Sequence, residues 1–132
     1  MKITPDTNVL VRVLVSDDPK QSRSAEAMLE NAELVALTLP ALCECVWVLS
    51  RGYTIESEAI ADRIRKMTTS ANVVANRAAV DAGLQMMADG GDFADGVIAY
   101  EGRWSGGETF VTFDKRAAKL LEAHGRKTRV PV

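Results

Sequence analysis

Four acidic residues sit where a chain of this kind could do chemistry. They are Asp6 in "PDTNVL", Glu44 in "LPALCECVWVL", Asp95 in "DFADGVIAY" and Asp114 in "TFDKRAAKLL". The densest stretch is "DGGDFADGVIAY", residues 89 to 100, where Asp89, Asp92 and Asp95 surround two glycines. Each acid also has a plain structural explanation. Asp6 and Asp114 suit helix N-caps or turns, where a side-chain oxygen accepts from exposed backbone N–H groups. Asp92 and Asp95 have capping-box spacing, with Asp92 as the cap. Asp95, one turn in, lies where the helix dipole tolerates an anion. Asp89 reads as a solvated loop residue. Glu44 is different: apolar neighbours on both sides imply burial, and a buried carboxylate needs a partner.

If Asp6, Glu44, Asp95 and Asp114 converge, the repulsion is large. Two carboxylates about 5 Å apart cost roughly 3 kcal/mol at an effective dielectric near 20. Such a cluster persists only with cations or raised pKa values. An all-oxygen set without His or Cys suits a hard ion such as Mg²⁺ or Mn²⁺. An ion held this way can activate water and neutralise charge on a phosphodiester. A zinc site is not expected, because Cys43, Cys45 and His124 supply too few ligands; the cysteines read as reduced, packed thiols. Arg12, Lys115 and Arg116 are candidates for backbone phosphate contacts, although each also suits a solvated role. Trp47 and Trp104 could stack on bases, but packing in a core or dimer is the simpler expectation.

The elements that must position these residues alternate between short β-like runs and longer helical ones, which indicates an α/β domain with a mainly parallel sheet. Strands are expected at "MKIT", "ELVALT", "NVVAN", "ETFVTF" and "TRVPV", the last at an edge because of its proline. Helices are expected at "DDPKQSRSAEAMLENA" with Asp18 as cap, "LPALCECVWVLSRG" closed by Gly52, and "TIESEAIADRIRKMTT" with Ile60, Ile64 and Met67 inward. Three more follow at "RAAVDAGLQMMADGG", "DFADGVIAYEGRW" and "DKRAAKLLEAHG", with Gly125 past the last. "TNVLVRVLVS" is ambiguous, since its valines favour a strand and its spacing a buried helix. Ligands of open parallel sheets bind at the carboxyl ends of strands, where Asp6 and Asp114 fall.

At 132 residues the chain reads as a single domain, residues 1 to 132, with an ordinary 47% hydrophobic and 26% charged composition. The net charge of −2 supplies no overall basic field. Residues 111 to 132 are nevertheless basic, with six Lys or Arg against Asp114 and Glu122. That permits a polyanionic partner without requiring one. The start lacks the pattern of a secretory leader, and the apolar run from Val9 to Val15 is short and interrupted by Arg12. A cytoplasmic protein with no membrane partner is the expectation.

"DTNVLVRVLVSDDPKQ", "LPALCECVWVLSRGY", "DFADGVIAY" and "TFDKRAAKLL", taken together and in order, resemble PIN-domain proteins, in particular the VapC toxins of bacterial toxin–antitoxin pairs. The resemblance runs from about residue 3 to 124. It implies a PIN-like three-layer α/β/α sandwich around a mainly parallel central sheet of four to five strands, and it implies that residues 7 to 15 are helical. It further implies a Mg²⁺-dependent endoribonuclease, with Mn²⁺ able to substitute, that leaves 5′-phosphate and 3′-hydroxyl ends. By position the acidic set is Asp6, Glu44, Asp95 and Asp114, with Asp6 and Asp95 as metal ligands. Thr7 and Asn8 lie beside the first acid, and Thr112 is placed to orient a carboxylate or water. The implied partners are an RNA substrate, a cognate VapB-like antitoxin, and a second copy in a homodimer, with larger assemblies when the antitoxin is bound. Two positions depart from the pattern. Pro5 ends a strand expected mid-sheet, where it removes a ladder donor, and Cys45 fills a usually apolar place.

Rival classes remain distinguishable. A haloacid-dehalogenase-type phosphatase would want D-x-D after the first strand, and here Asn8 follows Thr7. A receiver domain would want paired early acids and an isolated late lysine. A catalytically weak module that only binds RNA or a partner would hold no metal. A DNA-directed nuclease shares the same acidic chemistry.

Overall fold

A computed structural model describes residues 1–132. The chain resolves into two compact units, Met1–Asn76 and Arg77–Val132. The fold is α/β, with five short strands and every strand pairing parallel.

In the first unit, β1 (Lys2–Ile3), β2 (Leu34–Ala36) and β3 (Val73–Val74) form one sheet in the order β1-β2-β3. Val35 at the centre is fully buried and registers against Ile3 and Val73. β1 ends at Ile3, so buried Pro5 occupies no position in the β1–β2 ladder. The feared loss of a strand hydrogen bond therefore does not arise. α1 (Thr7–Leu14) is helical in spite of its valines, because Leu10 and Val11 share one inward face and burial outweighs the few tenths of a kcal/mol of intrinsic propensity. α2 (Pro19–Asn31) opens as the sequence dictates, with Pro19 at the first position and Asp18 accepting from the Gln21 amide.

α3 (Leu39–Trp47) is shorter than the periodicity suggests. It passes into a π-helical turn, Val48–Gly52, closed by the Tyr53 amide donating to Val48 O at 3.3 Å. Gly52 is not the left-handed stop; that conformation falls on Thr54, with φ 51°. The widened turn lets buried Leu49 accept from the Ile55 amide and brings Tyr53 to Asp17. α4 (Ser57–Thr68) completes the unit, with Ile60, Ile64 and Met67 buried at the expected spacing.

In the second unit, α5 (Arg77–Ala88) and α6 (Phe93–Trp104) pack closely, and β4 (Thr109–Val111) pairs with β5 (Lys127–Arg129) on either side of α7 (Lys115–Ala123). Met86, Ala99, Ala117 and Leu121 form a buried cluster against Phe110 and Leu120. Both α5 and α7 end in the same backbone device. Gly90 and Gly125 have φ of 91° and 79°, and the next amide returns to the carbonyl five residues back: Gly91 to Met86 and Arg126 to Leu121.

The α5–α6 crossing depends on absent side chains. A Cβ on Gly96 would collide with the Ala82 carbonyl oxygen and lie 2.8 Å from the Gly83 Cα. Backbone cannot retreat as a flexible side chain can, so Gly96→Ala is expected to destabilise by about 2–3 kcal/mol. Gly102→Ala on the same helix meets nothing within 4 Å and should add about 0.5–1 kcal/mol through helix propensity. Thermal melts of the two variants should shift in opposite directions; equal shifts would contradict the close crossing.

Candidate functional site

Each unit holds two of the four acids expected to act together. In the first unit the chain leaves β1, passes Pro5, and starts α1 at Asp6. Asp6 is exposed and caps the helix, its Oδ1 accepting from the Thr7 amide at 2.7 Å. The cap engages Oδ1, so capping and metal binding are compatible roles for one carboxylate. Parallel to this, β2 leads through the Thr38 cap into α3, which carries Glu44.

Glu44 corrects an expectation. It is exposed, because Leu42, Cys45 and Val46 occupy the inward face of α3 and turn it outward. It is nonetheless tethered: the buried Thr7 hydroxyl donates to Glu44 Oε2 at 3.2 Å. Thr7 thus binds the second acid while its own amide binds the first. Its polar place beside Asp6 was visible in the sequence; its bond to a residue 37 positions away was not.

In the second unit Asp95 lies in the first turn of α6 and is half-buried. Its carboxyl is pushed above the usual range, first by burial and then by the charges of Asp92 and Asp114. The helix N-terminus favours an anion there by about 0.3–1 kcal/mol, and the upward direction means that burial and the two like charges prevail. Asp92 occupies the cap position with extended backbone, but its side chain makes no cap bond, so the capping box does not form. Asp114 does cap α7, Oδ1 accepting from Arg116 N at 2.9 Å and Ala117 N at 3.1 Å. The Thr112 hydroxyl accepts from the Asp114 amide at 3.0 Å, so it fixes the backbone of the acid and not its carboxylate.

Asp89 is no solvated loop residue. It ends α5 and pairs with His124, which ends α7, while Gln85 also donates to it. The His124 contact is the chief cause of a lowered Asp89 carboxyl. An aspartate at a helix C-terminus opposes the dipole, and the histidine offsets that.

Several other candidates are committed elsewhere. Arg12 pairs with Asp17 at 2.8 Å, donates to Gln21 Oε1 at 2.7 Å and reaches the Tyr53 hydroxyl, which itself donates to Asp17 at 2.9 Å. It is a structural tie, not an available phosphate ligand. Arg116 leans over Gly90, whose missing Cβ would lie 2.8 Å from Nη2. Lys115 is exposed. Trp47 and Trp104 are 63% and 84% exposed, so neither is a core residue of this chain. Cys43 and Cys45 form no disulfide, and burial pushes the Cys45 thiol up to about 12, which keeps it protonated and unreactive.

The donor chemistry fits a hard divalent ion. Every candidate ligand is a carboxylate, and Asp95 stands among like charges that such an ion would neutralise. Within neither unit alone do three or more His, Cys, Asp or Glu side chains gather as a metal cage. No helix is long and apolar enough to cross a membrane.

The family model described as "PIN domain" matches residues 3–122, spanning all four acids. No curated protein matches the chain.

The raised Asp95 carboxyl sets the sign of a stability effect. Its folded state holds the proton more tightly than an unfolded chain, so the ionised form works against folding above the ordinary value of 3.8. Discounted for its exposure, the effect is below about 1 kcal/mol. In chelator at pH 7, Asp95→Asn should therefore melt about 1–4 °C above wild type. Asp89 has the opposite sign. Asp89→Asn should lower the melting temperature near neutral pH, and the difference should shrink as pH falls below the ordinary 3.8 through the lowered folded value.

Proposed function

The chain belongs to the PIN-domain family, a nuclease fold that is generally metal-dependent, and on that premise we propose that it is a Mg²⁺-dependent endoribonuclease hydrolysing RNA phosphodiester bonds. We assign the chemistry to Asp6, Glu44, Asp95 and Asp114, with Asp6 and Asp95 as the metal ligands. The observation that carries the proposal is the state of Asp95. A carboxylate held half-buried beside two others is a poor structural residue and a good ligand for a dication.

A divalent ion bound there supplies charge neutralisation and a more acidic water. The chain's own residues do the rest. Asp6 and Asp114 are pinned at helix starts by amides, so their carboxylates are preorganised. Thr7 restricts Glu44, which otherwise has a long, free side chain. Thr112 fixes the turn that presents Asp114. Glu44 and Asp114 complete the acidic set, and either can take a proton from the attacking water.

We assign the biological role to a toxin of a VapBC-type pair, neutralised by a short cognate antitoxin and working as a homodimer or a larger complex with that partner. The support is the joint presence of the four motifs within a match that spans residues 3–122. A neighbouring reading frame for a small DNA-binding protein, whose co-expression relieves growth arrest, would support this role; growth unaffected by expression of the chain alone would count against it.

The activity is tested on single-stranded RNA. Asp6→Asn and Asp95→Asn should abolish cleavage while the fold persists, and EDTA should silence the wild type. Thr7→Val should cut the rate by about 10- to 100-fold, the scale of losing a residue that orients a ligand. Wild-type cleavage by Asp95→Asn, or cleavage in chelator, would overturn the assignment. Calorimetry with Mn²⁺ separates an active site from a binding-only module, which would take up no ion.

A further inference from the structure

The far end of α6 carries a second recess, in the unit Arg77–Val132. Asp95 stands in the first turn of this helix and Trp104 is its last residue, so the two ends are about 13 Å apart along the axis. Two adjoining cavities, of about 370 Å³ and 470 Å³, share Arg103 and Arg126 as walls. The smaller adds Tyr100 and Trp104, and the larger adds Lys127, Glu108 and the Gly106–Gly107 turn.

Both arginines line both cavities, and neither forms an ion pair with a carboxylate. The ion pairs of the structure are Arg12 with Asp17, Arg65 with Asp62 and His124 with Asp89, and none involves this recess. Arg126 is positioned by backbone alone: the turn at Gly125 ends α7, and Nη2 donates to Ala99 O at 2.7 Å. Partial burial and the charge of Arg103 both push its guanidinium below the usual value. The fold therefore confines two like charges where an anion would relieve them. Three cations line the walls against Glu108 alone. Beside them stands an indole that is 84% exposed.

Guanidiniums together with an open aromatic face match a nucleotide better than an acidic peptide, which would satisfy the charges and leave the indole bare. We propose that this recess is an exosite for single-stranded nucleic acid, with a backbone phosphate between Arg103 and Arg126 and a base stacked on Trp104. The choice of nucleic acid rests on the nuclease assignment above. It accounts for the basic excess near the C-terminal end of the chain, part of which lines this recess.

The test is fluorescence anisotropy of a labelled eight-nucleotide oligouridylate with the full chain in EDTA, so that binding is read without cleavage. Trp104→Ala should weaken binding about tenfold. Arg103→Ala should weaken it and flatten the log–log salt dependence by about 0.7, the loss of one phosphate contact. Lys66→Ala, in the other unit, should bind as wild type. Wild-type binding by both Trp104→Ala and Arg103→Ala would overturn the exosite. Equal affinity for an abasic strand, or displacement by octa-aspartate at the same concentration, would overturn it in favour of a general anion or acidic-peptide site. Absence of cleavage in Mg²⁺ with this binding intact would sink the nuclease assignment and leave the recess standing.

Discussion

A carboxylate kept where its charge is unfavourable is the constraint on which the functional interpretation turns. Asp95 is anchored by α6, and α6 is anchored by a crossing with α5 so close that Gly83 and Gly96 admit no side chain. The helix cannot shift to relieve the acid without losing that contact. Its carboxyl is consequently held beside Asp92 and Asp114, with its proton affinity raised. Stability alone gives no reason for such an arrangement, because an amide at the same place would remove the repulsion. A bound cation gives one.

Asp6 and Asp114 are held by a different device, used at two of the changes from strand to helix. β1 gives way to α1 at Asp6, and β4 gives way to α7 at Asp114. In both, one carboxylate oxygen satisfies amides that the helix leaves without partners. Capping and catalysis are then not competing explanations. The cap removes side-chain freedom, and a fixed carboxylate is what a metal ligand requires. Glu44 lies inside a helix and cannot be held that way, so Thr7 holds it.

Positive charge follows a comparable logic with opposite results. Arg12 is neutralised in a network with Asp17 and Tyr53, made possible by the π-helical turn before Tyr53. Its role is to tie α1 to the segments around it. Arg103 and Arg126 form no ion pair. Residues of the same type thus divide into a structural tie at Arg12, which the sequence suggested for phosphate contact, and an open cationic recess at Arg103 and Arg126, which it did not single out. Neighbouring carboxylates decide which is which.

Much of this was legible in the linear chain, because it depends on neighbours. The order of helices and strands, the caps at Asp6, Asp18 and Asp114, and the left-handed stops at Gly90 and Gly125 follow from local backbone chemistry. The positions of Asp6 and Asp114 between a strand and a helix were readable for the same reason, since a carboxylate there is a local pattern. What failed was burial and pairing. Glu44 looked buried from its apolar neighbours, yet helical periodicity alone left open which face of α3 was covered. Asp92 had capping-box spacing without the bond, and Asp89 looked free although a histidine at the end of another helix claims it. The bond from Thr7 to Glu44, the tie on Arg12 and the unpaired arginines of the α6 recess join residues far apart in the chain. Only tertiary packing brings such groups within hydrogen-bond distance, and only there do desolvation and unlike or like charge decide what each side chain does.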